Sequence, residues 1–205
     1  VSTETLHVQL RKPVEAKLAN GVTVLILEDH RLPIVLTEFH LRSAGALFEP
    51  GASAGLASAT AEMLREGTDK RTSRQIAEEL DRLGAAMGAG ADFGSSETIF
   101  TASGLSENLD AWFSLAVEVL LRPSFPVAEL NRLKERAKVQ LRQQRAAPRF
   151  LAGERFNRAV FGDHPAAVVS ATIESINALT PELLKKWHQE RYVPANSLLA
   201  VAGDV

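Results

Sequence analysis

Apolar and polar positions along the chain recur with two periods, and each change of period marks a new element. Residues 6–10 alternate as Leu6-His7-Val8-Gln9-Leu10, the period-two pattern of a half-buried strand. Asn20-Gly21 is a turn signal, and a run rich in β-branched residues follows at 22–28. Asp29-His30-Arg31-Leu32-Pro33 interrupts it, and Leu36, Phe39 and Leu41 resume the strand pattern at 34–42. The two runs predict a hairpin entering a sheet. Residues 43–54, rich in Gly, Ala and Pro, predict a loop.

Helical spacing follows. Leu56, Ala59, Met63 and Leu64 predict a helix over 55–65 that Gly67 stops. Thr72 or Ser73 caps a second helix with Ile76, Leu80 and Leu83 on its apolar face and Gly84 at its end. The small-residue run 85–93 and the alternating run 96–103, with Thr98, Phe100 and Ala102 on one face, predict a second strand pair. Leu109, Trp112, Leu115, Ala116 and Val119 predict a helix over 108–121. After Arg122-Pro123-Ser124-Phe125-Pro126, a long charged helix over 127–145 carries Leu130, Leu133, Ala137 and Leu141. Pro148 breaks it, and 150–161 is another amphipathic segment. Thr180-Pro181 starts a further helix, and 197–202 is a final strand. Strands, helices, strands, helices and one strand do not make a regular βαβ alternation. The order predicts an α+β fold, a mainly antiparallel sheet with helices packed on one face, in one domain over 1–205.

Composition narrows the chemistry. The 205 residues hold 45% apolar positions, with 23 Lys and Arg against 25 Asp and Glu, a net charge of −2. That is ordinary globular usage without the basic field of a nucleic-acid binder. No cysteine is present, which excludes disulfides, thiolate nucleophiles and Cys-containing metal sites. Residues 1–5 show neither a basic nor an apolar leader region, and no apolar run reaches the length of a membrane span. Five histidines remain as soft metal ligands: His7, His30, His40, His164 and His188. The nearest two, His30 and His40, are ten residues apart, so no two share a helix face at the spacing a zinc helix needs.

No Gly-x-Ser-x-Gly is present, and Gly94-Ser95-Ser96 reads as turn chemistry. Gly88-Ala89-Gly90 precedes a strand rather than a helix, which rules out a dinucleotide loop. Arg132, Lys134, Arg136, Lys138, Arg142 and Arg145, with Glu135 as the one acid among them, read as a solvated helix face before a partner surface. The glycine-rich run 84–94 has two readings. It is a close helix–sheet contact, or a sheet edge open to an extended peptide.

Dispersed, collinear motifs then carry a resemblance over essentially the whole chain. They are Leu18-Ala19-Asn20-Gly21-Val22, Gly55-Leu56-Ala57, Gly67-Thr68-Asp69-Lys70-Arg71-Thr72, Gly162-Asp163-His164-Pro165, Ile176-Asn177-Ala178-Leu179-Thr180 and the close from Tyr192 to Val205. With them the sequence resembles a homology domain of the M16 (pitrilysin/insulinase-like) metallopeptidases. The resemblance implies that the chain is the N-terminal half of a longer two-domain chain. Active members carry His-x-x-Glu-His on the helix after Gly-Leu-Ala. In register, that motif falls on Ser58-Ala59-Thr60-Ala61-Glu62. The ligand positions are then Ser58 and Glu62, the general-base position Ala61, and the third ligand position on the long helix Gln140.

The resemblance therefore implies an inactive domain, no metal or other cofactor in this chain, and zinc only in an active partner. The expected role is that of a non-catalytic subunit, paired as a heterodimer or homodimer with a zinc-bearing M16 protease and helping to enclose extended peptides. In the family the strand after the second helix pairs with peptide, and here it falls on Gly88, Ala89 and Gly90. The alternative is a structural or assembly protein with an M16 fold and no protease partner. Relatives of this kind lean the expected location toward the bacterial envelope.

Overall fold

A computed structural model of the chain describes residues 12–205. Six strands lie among them: β1 Val14–Lys17, β2 Thr23–Glu28, β3 Ile34–Arg42, β4 Ala86–Gly90, β5 Glu97–Leu105 and β6 Ser197–Gly203. The helices are α1 Leu56–Met63, α2 Ser73–Leu83, α3 Leu109–Leu121, α4 Val127–Arg145, α5 Pro148–Phe161, α6 Ile173–Ala178 and α7 Pro181–Arg191. The strands form one sheet in the order β1-β2-β6-β3-β5-β4. Every pairing is antiparallel except β2 with β6. The fold is thus α+β with a mainly antiparallel sheet, as the element order predicts.

The alternation along the strands selects the covered face. Thr98, Phe100 and Ala102 of β5 are buried, as are Val35, Thr37 and Leu41 of β3, while the residues between them are more exposed. Buried Ile76, Leu80 and Leu83 of α2, Trp112, Leu115, Ala116 and Val119 of α3, and Leu130 and Leu133 of α4 belong to the same apolar core. Among the described residues no helix is long and apolar enough to cross a membrane.

Local chemistry sets the boundaries. Thr72 and Gln75 form a reciprocal capping box at α2, and Gly84 ends that helix in the left-handed region at φ 60°. Thr180 caps α7, with Pro181 in its first turn. The structure departs from the sequence pattern in four places. The 22–28 and 34–42 runs do not form a hairpin, because β6 inserts between them and pairs with both. The hairpin partner of β2 is β1, joined to it through the Asn20-Gly21 turn. The 6–10 strand reading and the leader reading at 1–5 lie outside the described residues. Pro148 is the first residue of α5 rather than only the end of α4, and no side chain of α5 is buried. The sequence pattern gave no sign of α6, whose six residues are too few to show an apolar stripe.

His188 is buried on α7, with its Nε2–H donating to the Leu120 carbonyl at 2.8 Å and the Tyr192 ring 4.6 Å away. Burial pushes its pKa below the ordinary 6.5, and the Leu120 bond offsets only part of that push. As pH falls through 6.5, the unfolded chain takes up a proton that the folded chain refuses. His188 therefore lends stability that is complete above 6.5 and is lost toward its lower folded value. Melting temperatures between roughly pH 7 and 5.5, above the carboxylate range, are expected to fall. His188→Gln keeps a donor but cannot titrate, and its melting curve should be flatter over that window.

Candidate functional site

The site is organised around α1. Gly55 opens the helix at φ +93°, and a Cβ there would lie 3.1 Å from the Cβ of Ala171. Both the backbone angle and the close approach favour glycine. The Glu49 carboxylate accepts hydrogen bonds from the backbone N–H groups of Gly55 at 3.0 Å and Ala57 at 2.6 Å, satisfying donors that a helix start leaves free. Burial pushes the Glu49 pKa up, against the lowering effect of those bonds.

Ser58 and Glu62 lie one turn apart on α1, and the Ser58 hydroxyl donates to Glu62 Oε1 at 3.5 Å. Arg65, a further three residues on in the 3-10 turn Leu64–Glu66, donates from Nη1 to the Met87 carbonyl of β4 at 2.8 Å. That bond sets the polar face of α1 alongside β4. Ser58 and Glu62 meet Gln140 and Gln144 of α4 around a cavity of about 140 Å³, closed further by Phe93 and Ser170. Ala61 does not line it, being buried at 1% exposure. A second cavity of about 280 Å³ adjoins it across Phe93, with Glu49, Arg158, Asp163 and His164 in its walls.

The first cavity does not suit a zinc ion. Its lining offers one carboxylate, one serine pair and two amides, with no imidazole, whereas a catalytic zinc takes three His or carboxylate ligands. No group of three His, Cys, Asp or Glu among the described residues could hold a metal ion. His30 pairs instead with Asp204, and His40 lies between Glu38 and Glu97.

Among the described residues β4 is a terminal strand of the sheet, and Gly88, Ala89 and Gly90 pair there with Thr101, Phe100 and Ile99 on one side only. A Cβ on Gly90 would meet nothing within 4 Å, and on Gly88 only the Thr101 hydroxyl at 3.7 Å. A side chain would fit at both positions, and α1 packs against β4. Four of the six basic residues of the α4 run are taken up locally. Arg132 pairs with Glu129, Lys138 with Glu135 and Arg145 with Glu154, while Lys134 caps the Asn177 carbonyl. The run is a solvated face.

The register of the M16 resemblance pointed to Ser58, Glu62 and Gln140 but not to Glu49, Phe93, Gln144 or Ser170. Gln144 stands one helical turn after Gln140, so the i, i+4 rule is the signal that finds it. Glu49 reaches α1 from a loop, and no periodicity marks it.

The model of the family described as Insulinase (Peptidase family M16) matches residues 43–167. An uncharacterized zinc protease of Mycobacterium leprae is 30% identical over 163 residues, which are 78% of this chain and 36% of that protein. An uncharacterized zinc protease of Rickettsia felis is 27% identical over 191 residues, 93% of this chain and 46% of that protein. A solved peptidase M16 inactive domain from Pseudomonas fluorescens superposes with a TM-score of 0.89 at 28% identity, over 95% of this chain and 47% of that one. The chain spans less than half the length of each of these three proteins.

Proposed function

The chain belongs to the insulinase family, peptidase family M16, and we propose that it is a domain of a non-catalytic subunit of a zinc metallopeptidase. One observation carries this reading. In the register of the family motif, the two imidazole positions fall on Ser58 and Glu62, the base position on Ala61 and the third ligand position on Gln140. Ser58, Glu62 and Gln140 share a cavity that lacks the donors for zinc. One carboxylate cannot both hold the metal and activate its water.

In this reading the domain is one half of a longer two-domain chain. It pairs with a zinc-bearing M16 subunit, as a heterodimer or within a homodimer, and walls a chamber around extended peptides. The free edge of β4 at Gly88, Ala89 and Gly90 accepts peptide by strand addition. The open space beside Gly90 and the terminal place of β4 support that assignment.

Metal titration tests the first part. The wild-type chain is expected to take up no stoichiometric zinc. Ser58→His, Glu62→His and Gln140→Glu together are expected to gain a site. Tight stoichiometric zinc in the wild type would remove the basis of the proposal. For the second part, peptidase activity of a zinc-bearing M16 partner from the same genome is measured with and without the full-length protein. Activity that does not depend on this subunit would contradict the assigned role.

A further inference from the structure

We propose that α5 is a contact surface for a second copy of this chain, the two helices packing antiparallel about Phe156. This rests on neither β4 nor the cavity, and adds a contact between like subunits to the pairing with a zinc-bearing one. Three features of α5 choose the partner.

The first is the side that α5 leaves open. Phe150, Glu154 and Asn157, at i, i+4 and i+7, are half-buried and face the body of the domain, where Glu154 pairs with Arg145 of α4. The opposite side carries Arg149, Ala152, Gly153, Phe156, Ala159 and Val160, all exposed. Phe156 stands 67% exposed and Val160 56%. A helix of 14 residues with no buried side chain and an aromatic ring on its solvent side marks an interaction surface.

The second is shape. Setting Phe156 of one helix against Phe156 of the other, antiparallel, places Ala152 opposite Val160 and Gly153 opposite Ala159. Two-fold symmetry repeats each contact, so the face is its own complement. Small residues meet larger ones, which lets the two backbones approach. Nothing within the chain requires Gly153. A Cβ on it would meet nothing within 4 Å, and glycine inside a helix is destabilising relative to alanine. Close approach of a second helix accounts for it.

The third is the charge of the two ends. Arg149 stands in the first turn of α5, which holds no acidic residue, so it adds to the positive end of the helix dipole. It pairs with no carboxylate among the described residues. Just past the other end, the Asp163 side chain is 98% exposed, and its pair with Arg158 at 3.0 Å lies at the surface, where such a pair contributes little. Arg149 and Asp163 are each seven residues from Phe156. An antiparallel pair therefore brings Arg149 of each copy to the negative end of the other helix. A parallel pair would set like charges together.

A single helix pair about 21 Å long is at the small end of specific interfaces, so the dimer should be weak and concentration-dependent. Sedimentation of the full-length protein over a concentration series should show a monomer–dimer equilibrium. Phe156→Glu should weaken it on the order of thirtyfold or more. Helix content and melting temperature of the dilute protein should stay, since the ring is exposed. The 205 residues hold no cysteine, so introduced thiols report the register once any cysteine beyond them is replaced by serine. Ala152→Cys protein mixed with Val160→Cys protein should form disulfide-linked dimers on mild oxidation. Neither should do so alone, because equal positions then lie about 12 Å apart along the axis. Linked dimers of each variant alone, without mixed ones, would mean a parallel pair and overturn the proposal. A protein that stays monomeric throughout would overturn it as well, leaving α5 to the rest of the full-length chain or to another protein. So would a dimer that survives Phe156→Glu, which must use another surface.

Discussion

Removing residues 197–205 is expected to abolish cooperative folding. β6 lies between β2 and β3, with six residues in register against the first and seven against the second. Without it, the two strands that flank it each lose one of their two backbone partners, and Thr37 and Phe39 lose Val201 and Leu199 beside them. Each buried backbone group left without a hydrogen bond costs about 1–3 kcal/mol. A handful of such groups exceeds the roughly 5–15 kcal/mol that holds a typical domain folded. Urea titration followed by circular dichroism should therefore show a sigmoidal transition for the intact chain and a gradual slope for the truncated one. A truncated chain that unfolds cooperatively at a similar urea midpoint would mean that β2 and β3 pair directly once β6 is absent.

Trp112→Ala is expected to be the most damaging single substitution in the helical layer. Trp112 is fully buried on α3, and its Nε1–H donates to the Leu105 carbonyl at 3.0 Å. Its ring stands edge-on to Phe113 at 6.1 Å. Gly104 makes room for it, since a Cβ at that position would lie 2.7 Å from Nε1. Truncating a buried tryptophan costs about 3–5 kcal/mol, and for a chain of this length each kcal/mol lowers the melting temperature by about 2–4 °C. The expected loss is therefore on the order of 10 °C by scanning calorimetry. Trp112→Phe keeps most of the packing and loses the hydrogen bond, so about 1 kcal/mol is expected. A melting temperature for Trp112→Ala within about 2 °C of wild type would show that α3 repacks without this anchor.

Most elements were legible in the sequence because their signals are local. The stripe Ile76, Leu80 and Leu83, the Thr72 cap and the Gly84 stop all act within a few residues, and α2 follows them. The same holds for the alternation of Thr98, Phe100 and Ala102 in β5. The partner of β2 was not legible. A period-two run states which face of a strand is buried but not which strand lies beside it, and β6 joins β2 from about 170 residues away. The exposed apolar residues of α5, Phe156, Val160 and Phe161, show the converse. An amphipathic pattern predicts a helix but does not supply something for its apolar side to pack against.

The candidate site divides in the same way. Sequence alone determined which residue types are present: no cysteine, five scattered histidines, and Ser58, Ala61, Glu62 and Gln140 at the positions in register with the family motif. Those facts constrain chemistry because ligand identity is covalent. Only the tertiary structure brought Gln140 and Gln144 of α4 to Ser58 and Glu62 of α1 around one cavity and held Arg65 against β4. It also placed Gly88 and Gly90 on the terminal strand of the sheet formed by the described residues, with open space where a Cβ on Gly90 would lie. Those relations join residues tens of positions apart, and packing rather than local propensity fixes such distances.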